Sequence, residues 1–230
     1  MNTTTSLFAQ RIALVALGAC ALAATGCKDD APAPTAATPA HAEFRILAGS
    51  ELRDVAQKVE AFGAANGTKI IFTFSGSIDA VDKLSEKHNY DAAWLSHGKY
   101  LQLVPGVKEQ IKASEKTMYS RVVLGVKPDK AKELGWVSGK VTWKQVTAAA
   151  NAGKFRFAMT NPAGSNTGFV TLVGVASEFS GKGDALQEAD IPEGQLKEFF
   201  SGMSMSSGSS GDLAEQFKAN PQKADGIINY

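Results

Sequence analysis

Residues 44–95 read FRILAGSELRDVAQKVEAFGAANGTKIIFTFSGSIDAVDKLSEKHNYDAAWL, and the hydrophobic pattern changes period along them. Phe44–Leu47 is a short apolar run. In Glu51–Phe62 the apolar residues fall at 52, 55, 56, 59 and 62, the spacing of one helix face. Thr68–Phe74 is rich in β-branched and aromatic residues and reads as a second strand. Ser77–Lys87 returns to helical spacing, with Ile78, Val81 and Leu84 on one side, and Ala92–Leu95 is a third strand. Strand, helix, strand, helix, strand in that order predicts a parallel sheet covered by helices. In such sheets ligands bind beyond the carboxyl ends of the strands.

A second α/β unit follows. Residues 121–126 (RVVLGV) form a buried strand, with Lys127-Pro128 as a breaker after it. Val141–Ala150 is helical, Phe155–Met159 a strand and Phe169–Phe179 a long apolar helix. Ser180–Asp190 is a loop, Ile191–Phe200 a helix with Pro192 in its first turn, Asp212–Phe217 the start of another helix, and Asp225–Asn229 a strand. The join between the units falls near Met118–Arg121, and no repeat of fixed period is present.

The first 42 residues have a different composition. Arg11 precedes an apolar run from Ile12 to Ala24, then Thr25-Gly26-Cys27. A charged start, a short apolar stretch and a small-residue end mark an export signal. The run falls short of the ~20 apolar residues of a membrane-spanning helix. Ala24-Thr25-Gly26-Cys27 resembles a bacterial lipoprotein lipobox, with Ala24 where Leu is commoner. That resemblance implies cleavage before Cys27 and lipid on its sulfur. The bland alternative is an ordinary signal peptide. Cys20 would leave with the signal, so the mature fold would have neither a disulfide nor a cysteine-based metal or catalytic site. Lys28–Ala42 (KDDAPAPTAATPAHA) lacks large apolar residues and reads as a tether. At ~3.1 Å per residue it would extend roughly 40 Å.

Composition narrows the function. Lys plus Arg number 24 and Asp plus Glu 23, and without Arg11 the two balance. No basic stripe interleaves with aromatics, which argues against nucleic acid. No His or carboxylate cluster has ligand spacing, so no metal or other cofactor is expected. No Gly-x-Ser-x-Gly elbow is present, and His97 is the one histidine expected near the strand ends, with a solvated loop role preferred to a general base. The chain is expected not to be an enzyme.

Three groups of loops carry the polar chemistry. Gly49-Ser50 and Ser75-Gly76-Ser77 each place a hydroxyl where a helix begins. A helix N-terminus has unpaired N–H groups and a partial positive charge, which suits an anion or polar oxygen. Plain N-capping is the alternative, because serine is among the best caps. Asn161-Pro162-Ala163-Gly164-Ser165-Asn166-Thr167-Gly168 lies between a strand and an apolar helix and is too polar for a mere connector. It lacks the Gly-Lys-Ser/Thr of a phosphate-binding loop. Ser206–Gly211 (SSGSSG) reads as an ordered turn before the last helix. The candidate ligand-binding residues are Ser50, Ser75, Ser77, Ser165, Asn166, Thr167, Ser207 and Ser209.

GSELRDV, FTFSGSIDAV, YDAAWLS, SRVVLGVKP, MTNPAGSNTG and SSGSSGDL, in that order and spacing, resemble a bacterial extracellular solute-binding protein of the type II periplasmic fold. The likeness runs from Phe44 to Tyr230. It is nearest a branch often linked to von Willebrand factor A domains and more distantly similar to molybdate-binding proteins. The resemblance implies two α/β lobes that close on a ligand between them. It carries Ser50 and Ser77 over as contacts from lobe one, and Asn166 and Thr167, with Ser165 nearby, as contacts from lobe two. Tyr230 falls one residue from a position where the molybdate protein has a contacting tyrosine. In that fold the chain returns to complete lobe one. Here Gly226–Tyr230 falls where the return would begin, so lobe one is expected to be incomplete and its sheet under-covered, as in a truncated product or fragment.

The expected organisation is therefore a signal over residues 1–26, lipidated Cys27 and tether over 27–42, the first part of lobe one over 43–118, and lobe two with the start of the return over 119–230. The expected function is an exported lipoprotein on the periplasmic side of a bacterial membrane. It would hold a small oxyanion or polar solute for an ABC-type uptake system, with its permease as partner. The alternative is an interaction or sensory module of the cell envelope that kept the fold and lost transport.

Overall fold

The computed structural model describes residues 42–230. The signal, Cys27, His41 and all of the tether but Ala42 lie outside the described residues. Ala42 itself begins a strand. Among the described residues, no helix is long and apolar enough to cross a membrane.

Two sheets organise the fold. The first has the order β2-β1-β3 and is parallel throughout, with β1 Ala42–Gly49, β2 Thr68–Ser75 and β3 Ala92–Trp94. Ile46, Leu47 and Ala48 of β1 are buried, because helices cover this central strand. Helix α1, Arg53–Ala65, follows a short 3-10 turn at Ser50–Leu52 and packs on β2. Its buried stripe ends at Gly63, whose missing Cβ would stand 2.6 Å from Ile70 Cγ1. Phe62, placed in the stripe by its spacing, is 70% exposed. At the last turn the residue facing the sheet is Gly63, and Phe62 points past the strand. Helix α2, Ser77–Ser85, buries Ala80, Val81 and Leu84 against Leu47 and Val107. Along β2 only Ser75 is buried. Among the described residues no later strand joins this sheet, and its covering stays thin as expected.

The second sheet has the order β4-β7-β5-β6, with β4 Val123–Val126, β5 Phe157–Thr160, β6 Met203–Ser207 and β7 Gly226–Asn229. β4 and β7 are antiparallel and the other pairs parallel. β7 sits inside this sheet, so the chain is still in lobe two at Asn229. Three elements differ from the sequence reading. Lys127-Pro128 does not break the chain, because Pro128 opens helix α3, Pro128–Glu133, at a position where its missing N–H costs nothing. β6 was read as part of a turn, and its strand character comes from pairing with β5. The expected loop 180–190 contains 3-10 turns at Gly183–Ala185 and Glu188–Asp190.

Helices α4 Trp143–Asn151, α5 Asn166–Ser180 and α6 Glu193–Phe200 enclose the larger core. Phe155, Phe157 and Phe199 are fully buried there with Val146, Val175 and Ile228. Helix α4 begins with a reciprocal capping box between Thr142 and Gln145. The Trp143 and Lys144 backbone N–H groups donate to the Glu178 carboxylate of α5 at 2.9 and 3.0 Å. Because Glu178 shares this work, Thr142→Ala should cost about 0.5–1 kcal/mol, the low end for a lost cap. A urea unfolding curve measures it, and a loss near 2 kcal/mol would show that Glu178 contributes little.

Candidate functional site

The last helix, α7 Ser210–Ala219, brings the second lobe against the first. Three helical segments begin at strand ends on this line. At each, a serine occupies the first helical position behind a different cap. Ser50 follows Gly49, Ser77 follows Gly76 and Ser210 follows Ser209. Neither glycine caps through a side chain, so the hydroxyls of Ser50 and Ser77 are not caps. The capping alternative is excluded for those two residues. It holds for Ser209, which accepts from the Asp212 N–H at 3.3 Å.

These hydroxyls are buried and engaged. Ser50 Oγ accepts from the Gly211 N–H at 2.8 Å and lies 3.3 Å from Ser210 Oγ, across the lobe boundary. Ser77 Oγ is 2.7 Å from Ser96 Oγ. Ser96 in turn hydrogen-bonds to Tyr230. From lobe two, the Asn166 amide donates to Tyr230 Oη at 2.9 Å, while Asn166 Oδ1 is buried without a partner. Thr167 Oγ1 lies 2.6 Å from Thr160 Oγ1 and 3.2 Å from Ser165 Oγ. Ser165 is the N-cap residue of α5 but makes no capping bond, which leaves the first turn of that helix open.

The expectation of free N–H groups at α2 needs correction. Its Ile78 and Asp79 N–H groups both donate to the Gly164 carbonyl of lobe two at 3.2 Å. The lobes therefore meet directly there, and the open helix end at the site is that of α5. Ser75 is also spoken for, accepting from Lys83 Nζ at 2.9 Å. Ser207 ends β6, half-buried, and its carbonyl accepts from the Asn161 N–H at 2.8 Å. The interlobe cluster thus joins Ser50, Ser77, Asn166 and, through Ser165, Thr167. Ser75, Ser207 and Ser209 make the bonds of strand ends and caps.

Sequence reading passed over Ser96, Ser210 and Glu51, and gave Tyr230 only by resemblance. Ser210 was legible in principle, since it stands one residue after a cap, as Ser50 and Ser77 do. Burial raises the Tyr230 hydroxyl above its ordinary pKa against the hydrogen bonds from Ser96 and Asn166, with a smaller push from Glu51. Tyr100 is pushed up to about 12 by burial and by Tyr230. Both phenols stay protonated at neutral pH. His97 stacks at a tilt on Tyr100 with ring centroids 5.1 Å apart, and its Nδ1 is buried without a partner.

At the rim Arg53 Nη1 donates to Asp212 Oδ1 at 2.7 Å, tying the lobes. The Ser209 hydroxyl, and then Arg53, hold the Asp212 carboxyl below its ordinary pKa against a smaller effect of burial. A lowered folded value means that the stabilisation is whole above the ordinary carboxylate range. It is lost as pH falls through the folded value. Ser209→Ala should remove the cap, costing about 0.5–2 kcal/mol at neutral pH, and should flatten part of the acid limb below about pH 4. Melting temperatures across pH test this, and parallel curves for the two proteins would contradict it.

A larger groove, of about 610 Å³, lies elsewhere, lined by Val123, Trp136, Val141 and Trp143 with Lys132 at its side. Its walls are chiefly apolar and offer little to a polar solute.

Two α/β lobes meeting across helix starts define a two-lobe binding protein of the periplasmic type. The chain belongs to the family of bacterial extracellular solute-binding proteins, whose model matches residues 44–177. Among solved structures it is similar to the sulfate-binding protein SubI from Mycobacterium tuberculosis H37Rv, at 13% identity and a TM-score of 0.61 over 83% of this chain. It is also similar to the periplasmic binding protein P5PA, at 16% identity and TM-score 0.54 over 82%, and to a periplasmic thiamin binding protein, at 11% and 0.54 over 82%. At such identities the likeness is one of fold. The chain spans 65%, 63% and 61% of those three chains. A comparison with curated proteins finds no match.

Proposed function

We propose that this chain is an exported solute-binding protein that holds a small oxyanion or other polar solute between its lobes and serves an ABC-type uptake system. Ser50, Ser77, Asn166 and Thr167 are its binding residues, with Ser165 behind Thr167. Export follows from the N-terminal segment, and the lipobox-like ending makes Cys27 the anchor to the periplasmic side of the membrane. What carries the reading is the placement of Ser50 and Ser77. Both stand behind glycine caps, buried at 2% and 3% exposure, where capping cannot explain them. Neutral hydroxyls, amides and the open start of α5 can hold a polar oxygen without bulk charge. Selectivity would come from cleft size and unmatched hydrogen bonds.

One observation favours the second reading, an interaction or sensory module. The first-turn N–H groups of α2 are satisfied by Gly164 rather than left for a ligand. A thermal melt of residues 28–230 against oxyanions and small polar solutes separates the two. A transition raised several degrees by one compound supports solute binding, because a ligand of the native state stabilises it by mass action. A cooperative melt that no solute moves favours the module.

A further inference from the structure

The hydrogen-bonding balance at the lobe boundary is short of donors. Glu51 folds back over Gly49, its carboxylate filling the space that a Cβ on residue 49 would take. It accepts from Ser210 Oγ at 3.2 Å, and among the described residues it makes no ion pair. The nearby cations are engaged elsewhere: Arg53 with Asp212, and Lys83 with Ser75. A second acceptor is independent of it. Asn166 is 5% exposed, its amide N–H₂ serves Tyr230, and its Oδ1 has no partner. A buried acceptor without a donor is costly and calls for a partner supplied from outside the protein.

A fully deprotonated oxyanion brings only acceptors. Placed here it would face a carboxylate and an orphan carbonyl. We propose that Glu51 and Asn166 make this a site for a small solute carrying N–H donors, an amine or a zwitterion, with Glu51 as the specificity-determining residue. The N–H groups meet Glu51 and Asn166 Oδ1, and the solute's polar oxygen meets the hydroxyls and the open start of α5. The inference rests on the cleft being the binding site, as proposed above.

The test titrates the full chain with glycine, ethanolamine, glycine betaine and sulfate, followed by calorimetry and melting temperature. Betaine keeps the carboxylate and positive charge of glycine but has no N–H. Glycine or ethanolamine should bind and raise the melting temperature, and betaine and sulfate should not. Glu51→Gln should weaken that binding about ten- to a hundred-fold, the cost of a charge-assisted hydrogen bond. Gly49→Ala should weaken it too, since the new Cβ displaces only a flexible carboxylate and leaves the fold intact. Sulfate binding without amine binding, betaine matching glycine, or amine binding unchanged in both variants would overturn the inference and leave the cleft reading standing. No response to any of the four would overturn both.

Discussion

Gly76→Ala should force the two lobes apart. A Cβ at residue 76 would overlap the Gly164 carbonyl oxygen and stand 2.6 Å from the Gly208 carbonyl oxygen. Both are backbone atoms of the opposite lobe and cannot swing aside as a side-chain tip can. The glycine has φ −65°, so alanine brings no backbone strain of its own, and the whole effect is at the lobe contact. The expected cost is about 1–3 kcal/mol, the range for overpacking. The molecule should also expand measurably in solution scattering, as the bonds from Ile78 and Asp79 to Gly164 are lost. Gly98→Ala is the control, because nothing lies within 4 Å of its added Cβ. An unchanged radius of gyration and melting temperature for Gly76→Ala would mean that the lobes do not meet at Gly164.

The second large effect lies away from the boundary. Phe199→Ala should cost about 3–5 kcal/mol, the transfer of a buried aromatic side chain plus the cavity left behind. Phe199 is fully buried, with its ring centroid 4.8 Å from Phe157, 5.4 Å from Phe200 and 6.0 Å from Trp143. Four rings from three elements share this contact, so the hole cannot be closed by moving one of them. The midpoint of urea unfolding measures the loss. A change under about 1 kcal/mol would show a core that collapses readily, contrary to this packing.

The elements legible in the sequence were those whose burial writes itself into composition. Ile46-Leu47-Ala48 is apolar on both faces because helices flank a central parallel strand. Val81 and Leu84 mark α2 because one side of it meets the core. β6 was hidden for the opposite reason. MSMSS buries only Met205 and has no β-branched residue, so its strand character is imposed by β5. The start of α3 was misread because proline ends a helix in one position and opens it in another, and Lys127-Pro128 alone does not say which.

The site divides in the same way. Strand-end serines were visible as a class, but whether a serine caps a helix or stands one residue inside it depends on local dihedral angles. That single step separates Ser209, a cap, from Ser50 and Ser77. Ser96 and Tyr230 reach the cluster through tertiary contacts spanning most of the chain, and no local pattern marks them. Glu51 looked like an ordinary first-turn acid, and only its position over Gly49 sets it apart.

The most direct measurement is the amide NMR spectrum of the isotopically labelled protein, recorded with and without the solute that gives the largest thermal shift. The account predicts that the perturbed amides gather at Ser50, Ser77, Ser165–Gly168 and Tyr230, on both sides of the lobe boundary. Perturbations confined to the groove of Val123, Trp136 and Trp143, with those amides unmoved, would contradict it.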